Sequence, residues 1–547
     1  MRHFPELFEA LLKQRGITRG EEEDFLNPDY NKLHNPLLLP DMEKARDRVI
    51  KAIKDNEHIV VFSDYDCDGL PGAVVLSDFF TRVGFENISF YIPHRHDEGF
   101  GLNMDAIEEI ATRGARLIIT IDCGVADTKE VALANEKGID VIITDHHKPN
   151  PVLPEAYAIV NQNRSDSDYP FKGLCGAAVA FKLVQAVVAC EPFGVKPGME
   201  KWSLDMVAIA TLSDMVPLLG ENRILTSFGL SVLRKSPRPG LAALFKRMNM
   251  DQSTVSEDDV TFMITPRINA ASRMGVPEDA FKLLKTKDYE EAERLALHLE
   301  KINNERKGVV ASVVKEAKSR IANRQEVADV IVIGNPEWRP SLLGLVANSL
   351  VEEYERPAFV WGRSGGGTLK GSCRSYDGYD LFALMSVASD EFVEFGGHTG
   401  AGGFSVTLES LTTLEERLSL ALSHLEVEPP STEIPALHIN LDDVGENLWS
   451  LVSNFAPFGM GNKKPVFKIP KVEIKSIKQF GKENNHLEVT FNGGEKEIKA
   501  ISFFSDPTSY STLLTPGTRI SLLANLEKSF FRNRPELRLR IVDIESI

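Results

Sequence analysis

Three aspartates, Asp64, Asp66 and Asp68, lie within the short segment DYDCDG, directly after the apolar run HIVVFS. Carboxylates at this spacing repel one another unless cations offset their charge. An EF-hand calcium loop also begins with spaced carboxylates, but it follows a helix and needs a glutamate at its twelfth position, where this chain has Val75. The segment therefore predicts a metal site of a different kind, at the end of a strand.

Other apolar runs also end in residues that bind metals. RLIITI leads to Asp122, and Asp214 follows an apolar helical run in ATLSDMVP. The run DVIIT is followed by Asp145, His146 and His147. The carboxyl ends of parallel strands open into one crevice, so residues far apart in the sequence meet there. We therefore expect these side chains to join the DYDCDG aspartates in a single site.

The chemistry of this set favours phosphoester hydrolysis. Oxygen ligands with one or two imidazoles suit Mn²⁺ or Mg²⁺ better than an ion that prefers thiolates. Two such ions can share a carboxylate, lower the pKa of a water and stabilise the entering and leaving oxygens of a phosphodiester. A single aspartate is more often a helix cap or a turn residue than a ligand. The prediction therefore depends on all of these residues lying together.

The elements that must position these residues form an α/β unit. From about residue 58, short β-rich runs alternate with amphipathic stretches, which is typical of a parallel sheet covered on both faces. The expected strands are HIVVFS, NISFYI, RLIITI and DVIITD. The expected helices lie near 70–83, 103–113, 127–137, 174–190 and 203–213. The break SPRPG at 236–240 ends this unit.

A helical spacer follows. Residues 277–324 are charged and have apolar positions at helical spacing, so one helix of about 40 residues would span about 60 Å and join two domains. Two ordinary helices with a break near Asn303 and Asn304 are the alternative. A second α/β segment then runs from DVIVIGN through PAFVWG to EFGGHTGAGGFSV, and EVEPPSTEIPA at 426–436 has the composition of a linker.

The last part of the chain predicts a small β-barrel of the OB type, from the strand-like runs VEIKSI, HLEVTF, RISLLANL and LRLRIVDI. Residues 460–547 contain ten Lys and five Arg against ten Asp or Glu, a net charge of +5, so the rest of the chain carries −22 of the total of −17. KSFFRNRPELRLR interleaves aromatic and basic residues that could bind single strands. They are Phe530, Phe531, Arg532, Arg534, Arg538 and Arg540. A core position for the phenylalanines and a solvated edge for the arginines is the alternative.

Length and composition set the remaining bounds. A chain of 547 residues is too long for one core and predicts roughly three or four domains. Five scattered cysteines without CxxC spacing argue against a disulfide framework and a structural zinc site, which fits the cytoplasm. We expect no signal peptide and no membrane span, because the start lacks a long apolar stretch and later apolar runs are interrupted by polar residues.

The order DxDxDG, IDCG, DHH and SDMVP resembles the four motifs of the DHH phosphoesterase superfamily. The resemblance implies that two Mn²⁺ or Mg²⁺ ions are held by Asp64, Asp66, Asp68, Asp122, His146 and Asp214. It places His147 alongside the phosphate. It also implies five segments: a helical segment 1–40, a DHH catalytic domain 41–240, a helical connector 241–325, a DHHA1 substrate-binding domain 326–428 and an OB-type nucleic-acid-binding domain 437–547.

Further segments resemble the branch of this superfamily that degrades single-stranded DNA: IPHRHDEGFGL, TPRINAASRM, GSCRS and FGGHTGAGG. This implies that Arg95, Ser372 and Arg374 grip a terminal 5′ phosphate. It also implies that Arg267 and Asn269 stand near the cleaved bond, and that the substrate backbone is contacted by His398. Each arginine could equally form a surface salt bridge, and glycine turns need no substrate. The chain departs from the branch at Arg339, where a histidine is usual, and at Cys373, where glycine is common.

The function that the resemblance implies is 5′→3′ hydrolysis of single-stranded DNA to 5′ mononucleotides in recombination and repair. The implied substrate is single-stranded DNA with a 5′ phosphate, and the implied state is a cytoplasmic monomer that works with a single-strand-binding protein and a helicase, away from membranes. Two alternatives share the metal motifs or the fold. One is a phosphodiesterase for nanoRNA or cyclic dinucleotides, and the other is a non-catalytic single-strand-binding scaffold.

Overall fold

The computed structural model describes residues 4–364, 367–376, 378–397, 399–425, 435–481, 484–493, 496–510, 512–529 and 535–547. His398, the expected linker from 426 to 434 and residues 530–534 of the basic segment lie outside these ranges. The expected domain types are confirmed: a parallel α/β domain, a long helix, a smaller α/β domain and a β-barrel follow one another along the chain. No described helix is both long enough and apolar enough to cross a membrane.

The first domain is built on a five-stranded parallel sheet. From the start of the described chain to the end of this domain, the elements are α1 (Pro5–Gln14), α2 (Glu22–Leu26), α3 (Met42–Lys54), β1 (Ile59–Ser63), α4 (Gly69–Arg82), β2 (Ile88–Tyr91), α5 (Met104–Thr112), β3 (Leu117–Ile121), α6 (Thr128–Glu136), β4 (Asp140–Thr144), β5 (Ala158–Val160), α7 (Gly176–Cys190), α8 (Leu204–Ser213) and α9 (Gly220–Leu233). The strand order is β2-β1-β3-β4-β5. β1 and β3 are buried at every position, as expected for strands covered by helices on both faces.

Five further helices complete the helical part: α10 (Pro239–Met248), α11 (Glu257–Asp259), α12 (Thr265–Arg273), α13 (Pro277–Lys285) and α14 (Tyr289–Ala322). Their apolar side chains up to Ile302 share one core with the parallel sheet. α14 has 34 residues and spans about 51 Å. The alternative of a break near Asn303 is wrong, because this residue is fully buried inside a continuous helix. The break lies earlier, where the Asp288 side chain caps α14.

The second α/β domain contains β6 (Ile331–Gly334), α15 (Pro340–Tyr354), β7 (Ala358–Arg363), β8 (Leu369–Arg374), α16 (Leu381–Val387), β9 (Glu394–Gly397), β10 (Ala401–Val406) and α17 (Leu414–Ser423). Its strands are ordered β6-β7-β8-β10-β9. Only β6 and β7 run parallel, and the other neighbours are antiparallel. The residues of β8 therefore lie in the middle of a mixed sheet, with alternate side chains on opposite faces.

The C-terminal domain is a closed barrel, as predicted. It contains β11 (Ala436–His438), α18 (Glu446–Ser453), β12 (Val466–Phe480), β13 (His486–Gly493), β14 (Lys496–Phe503), β15 (Arg519–Ser529) and β16 (Glu536–Ser546). The pairs β12–β13, β13–β14, β14–β16, β16–β15 and β15–β12 close a ring of five strands. Phe8 and Leu11 of α1 pack into the core of this barrel, so the two ends of the described chain meet there.

Candidate metal centre and phosphate-binding cleft

The predicted metal-binding side chains meet at one edge of the parallel sheet. β1 ends immediately before Asp64, β3 before Asp122 and β4 before Asp145. The chain turns sharply at Asp122, whose φ is +60°, and α7 begins beside it. Asp214 arrives from a different direction, as the residue that closes α8. The convergence follows from the topology, because adjacent parallel strands end on the same side of the sheet.

Three overlapping groups of side chains could each hold a cation: Asp64, Asp66 and Asp122; Asp68, His146 and Asp214; and Asp122, His146 and His147. Within each group, the ligand atoms lie within 4.8 Å of one another. Nε2 of His146 lies 3.1 Å from Oδ1 of Asp122 and 3.7 Å from carboxylate oxygens of both Asp68 and Asp214. The groups share Asp122 and His146, as expected for a site in which neighbouring ions share ligands.

The burial of these ligand atoms and their lack of hydrogen-bond partners favour the binding of divalent cations. Oδ1 of Asp64, Oδ1 of Asp122 and Nε2 of His146 are buried and make no hydrogen bond within the described residues. Leaving a buried polar atom without a partner costs about 1–3 kcal/mol. Burial, followed by the charges of Asp68 and Asp66, raises the pKa of Asp122 well above its usual range. The same causes raise the pKa of Asp214 to about 8. Bound cations would give the buried atoms partners, and they would favour the ionised forms of Asp122 and Asp214.

The two histidines are positioned by Asp145, which sequence analysis left out of the ligand set. Its Oδ1 accepts hydrogen bonds from both histidine backbone N–H groups and from Nδ1 of His147 at 2.8 Å. Although burial opposes it, this bond and the charge of Asp145 raise the pKa of His147 to about 9. Asn161 and Asn163 donate to the carbonyls of His147 and His146. The sequence signal for these supports was the polar segment NQN, which follows β5.

Sequence reasoning also missed the contact between the start of α7 and Asp68. The backbone N–H groups of Gly176 and Ala177 donate to the carboxylate of Asp68 at 2.6 and 2.8 Å. Unpaired N–H groups and the helix dipole make a helix N-terminus favourable for negative charge. Asp68 is therefore held in place by a helix that begins more than a hundred residues later. Its own segment gives no hint of this partner.

The two residues expected near the cleaved bond lie on α12. Oδ1 of Asn269 accepts a hydrogen bond from the backbone N–H of Cys67 at 2.9 Å, so α12 is tied directly to the DYDCDG segment. The guanidinium of Arg267 makes two bonds to Glu300 of α14, at 2.5 and 3.1 Å. Arg267 is buried, so Glu300 balances its charge and fixes its orientation.

Arg95 and Arg273 lie near Asp64 and Asp66 of the metal cluster, and Arg306 and Arg374 lie near Arg273; we call these four residues the arginine cluster. None of them takes part in a salt bridge within the described residues. Burial, followed by the charges of Arg95 and Arg306, lowers the pKa of Arg273 to about 9. Unpaired, partly buried guanidinium groups suit an anion, and they form bidentate bonds to phosphate oxygens.

The arginine cluster spans the two α/β domains. Arg95 lies over the ring of Tyr65, with its guanidinium carbon 4.9 Å from the ring centroid. Arg374 and Ser372 are two residues apart on β8, so their side chains share one face. Arg273 donates to the carbonyl of Ser341, and the Ser341 hydroxyl donates back to the carbonyl of Arg273, at 2.7 and 2.9 Å. This reciprocal contact joins α12 to the start of α15. Sequence analysis predicted three of these residues and missed Arg273, Arg306 and Ser341.

An aromatic patch on the barrel is the remaining candidate; it consists of Phe480, His486, Phe503 and Phe504. The ring centroids of contacting pairs lie 5.0–6.2 Å apart. Phe504 has a φ of +57° and is 82% exposed, an unusual combination for a large apolar residue. Arg538 and Arg540 lie over the ring of Phe503.

Comparison with known proteins identifies the chain. Family models match the DHH family N-terminal domain at residues 58–211, the DHHA1 domain at 325–424 and the RecJ OB domain at 436–543. The single-stranded-DNA-specific exonuclease RecJ of Bacillus subtilis is 33% identical over 547 residues, which cover 99% of this chain and 68% of that protein. The chain belongs to the RecJ family.

Other RecJ proteins are also similar to this chain over most of its length. The single-stranded-DNA-specific exonuclease RecJ of Haemophilus influenzae is 30% identical and covers 99% of this chain and 96% of its own length. The crystal structure of Thermus thermophilus RecJ in complex with Mn²⁺ has a TM-score of 0.81 at 26% identity, covering 99% of this chain and 76% of that chain. A second structure, of an exonuclease RecJ bound to manganese, has a TM-score of 0.61 at 30% identity, covering 73% and 97%.

Proposed function

We propose that this protein is a metal-dependent exonuclease that degrades single-stranded DNA from its 5′ end and releases 5′ mononucleotides. The observation that carries the proposal is the arginine cluster beside the metal-binding cluster. The arginine cluster is suited to a phosphate, and the metal-binding cluster is suited to divalent ions. The two α/β domains lie on either side of them. This arrangement suits a strand whose terminal phosphate is bound while the following phosphodiester is hydrolysed.

Two Mn²⁺ or Mg²⁺ ions would be held by Asp64, Asp66, Asp68, Asp122, His146 and Asp214. When bound, they supply a water of lowered pKa and offset negative charge on the reacting phosphate. Asp145 binds Nδ1 of His147 and fixes the orientation of its ring, so that Nε2 would be free to contact a phosphate oxygen of the strand. Arg267, oriented by Glu300, would direct its remaining N–H donors towards the same phosphate.

The direction of cleavage comes from the arginine cluster. Arg95, Arg374 and Ser372 bind the terminal 5′ phosphate, and we add Arg273 to this set. A phosphate monoester carries more negative charge than an internal diester, and it offers three oxygens to guanidinium groups. The strand is therefore engaged by its 5′ end. His398 would contact the strand from the second α/β domain.

The barrel binds the part of the strand that extends from the metal centre towards the 3′ end. The exposed ring of Phe504 offers a stacking face, with Arg538 and Arg540 nearby as partners for phosphates. The net charge of +5 from residue 460 onward favours a polyanion, although the whole chain is acidic. These features favour a long strand over the small substrates of a DHH phosphodiesterase, and the complete ligand set disfavours a non-catalytic scaffold.

We further propose that the chain divides into segments 1–40, 41–240, 241–325, 326–428 and 437–547. We also propose a monomeric state in the cytoplasm, and cooperation with a single-strand-binding protein and a helicase in recombination and repair. The function is tested by comparing turnover of a dinucleotide, a single strand of about 40 nucleotides and the corresponding blunt duplex, each with a 5′ phosphate and Mn²⁺. Rapid degradation of the single strand alone supports the proposal. Preferential turnover of the dinucleotide would favour the small-substrate phosphodiesterase.

A further inference from the structure

The segment that carries Asp214 is a short bridge between α8 and α9. Asp214 donates its backbone N–H to Ala210 at 2.9 Å and so ends the helix, and Met215 follows with a φ of +57°. The Asp214 side chain is 28% exposed, against 1% for Asp68 and 5% for Asp122. Side-chain packing therefore holds Asp214 less firmly than Asp68 and Asp122. Its position depends on the backbone of the bridge.

A loop of the barrel covers this bridge; we call residues 455–462 the docking loop. The backbone N–H of Leu218, a buried residue four positions after Asp214, donates to the carbonyl of Met460 at 2.8 Å. A Cβ atom added to Gly459 would lie 2.8 Å from Cδ1 of Leu218. A Cβ atom added to Gly461 would lie 3.3 Å from the side chains of both Leu219 and Pro217. Glycines thus allow side chains of the bridge to pack directly against the backbone of the docking loop.

The docking loop is fixed to the catalytic domain at its other end. Arg223, at the start of α9 and 2% exposed, donates to the carbonyls of Phe455 and Ala456 at 3.1 and 2.8 Å. The carboxylate of Glu257 accepts the backbone N–H of Phe458 at 3.0 Å. Buried, charge-assisted bonds to backbone groups are among the stronger polar contacts. The loop therefore forms a firm support for the bridge, rather than a loose surface contact.

We propose that the docking loop is part of the scaffold of the metal centre. Leu218 is the positioning residue: held by Met460 and Gly459, it fixes the bridge and thereby the carboxylate of Asp214. The seating of the barrel and the affinity for divalent metal are consequently coupled, and the coupling acts in both directions. The inference rests on the proposed function only in taking Asp214 as a metal ligand.

The test compares matched glycine substitutions in the full-length protein. Gly459→Ala presses on Leu218, whereas Gly445→Ala lies in the same domain with nothing within 4 Å of the added atom. Gly461→Ala is a second variant, with φ of +72° and contacts to the bridge. Gly517→Ala is its control, because its φ is +87° and its surroundings are open. Mn²⁺ affinity is measured by titration calorimetry, alongside the Tm and binding of a single strand in EDTA.

We expect Gly459→Ala and Gly461→Ala each to bind Mn²⁺ about tenfold more weakly than their controls, as for groups that orient metal ligands. The Tm and strand binding in EDTA should stay close to those of the controls. If Gly459→Ala or Gly461→Ala folds and keeps the Mn²⁺ affinity of its control within twofold, the coupling is absent, although the proposed function stands. If the unmodified protein binds no Mn²⁺, the proposed function fails as well.

Discussion

Gly176 packs directly against Asp122, so closely that a methyl group on Gly176 would lie 2.5 Å from Cβ of Asp122 and 2.8 Å from its Oδ1. The backbone N–H of the same glycine donates to Asp68. α7 therefore begins in contact with two predicted ligands at once. Only a residue without a side chain allows its first turn to come this near, which makes Gly176 a part of the metal site although it offers no ligand.

We expect Gly176→Ala to displace Asp122 and to lower Mn²⁺ affinity and nuclease activity by at least about a hundredfold, the upper end for groups that orient ligands. Gly308→Ala is the matched control, since Gly308 lies within α14 with open space around it. Calorimetric Mn²⁺ titration and initial rates on a single strand provide the measurements. A Gly176→Ala protein with the metal affinity of the control would show that this contact tolerates a methyl group.

Substitution of Arg374 tests whether the arginine cluster sets the 5′ direction of cleavage. We expect Arg374→Met to remove most of the advantage of a 5′-phosphorylated strand over a 5′-hydroxyl strand, mainly through KM, because the charged partner of the terminal phosphate is lost. A change of ten- to hundredfold corresponds to about 1.4–2.8 kcal/mol. Arg363→Met, at an exposed position of the same sheet, should leave the ratio unchanged. An unaltered preference in Arg374→Met would place the terminal phosphate elsewhere.

Phe504 tests the role of the barrel. Base stacking on an aromatic ring contributes about 1–3 kcal/mol per base, so Phe504→Ala should weaken binding of a 30-nucleotide strand by about tenfold in fluorescence anisotropy. The salt dependence should change little, since no phosphate contact is removed. Tyr289→Ala removes another exposed ring, which is 69% accessible at the start of α14, and serves as the control. Equal affinities of the two variants would exclude Phe504 as a stacking platform.

The pH dependence of stability can be tested at Asp127, which is not a predicted metal ligand. Its Oδ2 accepts the backbone N–H of Leu102, at the end of the segment that carries Arg95, and burial raises its pKa to about 6. A raised carboxyl pKa stabilises the folded protein at low pH, and this contribution is lost as pH rises from about 4 through 6. Asp127→Asn keeps an acceptor but does not titrate.

The Tm of Asp127→Asn relative to the unmodified protein should therefore rise between pH 4 and pH 7, by an amount equivalent to about 1 kcal/mol because the group is only partly buried. The control is Asp105→Asn, an exposed aspartate in the first turn of α5. Thermal unfolding at several pH values gives the comparison. A difference that is constant with pH, or that falls as pH rises, would contradict the raised pKa.

The metal cluster was predictable because topology determines it. Asp64, Asp122 and His146 each follow an apolar run, and parallel strands must end together, so their meeting required no knowledge of side-chain contacts. The expected strands and helices of the first domain lie within a few residues of their observed ends for the same reason, since their periodicity is strong. The barrel strands were also predicted from alternation.

Three supports of the site, Gly176, Arg273 and Ser341, were not predictable, because they depend on tertiary contacts. Gly176 acts through its backbone and its missing side chain, and Arg273 and Ser341 meet only when the two domains are packed. The break before α14 has a local signal, the cap residue Asp288, whereas the low helix propensity of asparagine favoured a break at Asn303 and Asn304. The burial of Asn303 inside the helix overrides that propensity.

The central claim, metal-dependent degradation from the 5′ end, is tested most directly by following one end label at a time. A single strand with a radioactive 5′ phosphate, and the same strand labelled at its 3′ end, are each incubated with the protein and Mn²⁺, with Asp122→Asn as the inactive control. We predict immediate release of labelled mononucleotide from the 5′-labelled strand, late release from the 3′-labelled strand, and neither with Asp122→Asn. Immediate release of the 3′ label, with the 5′ label retained in long fragments, would contradict the account.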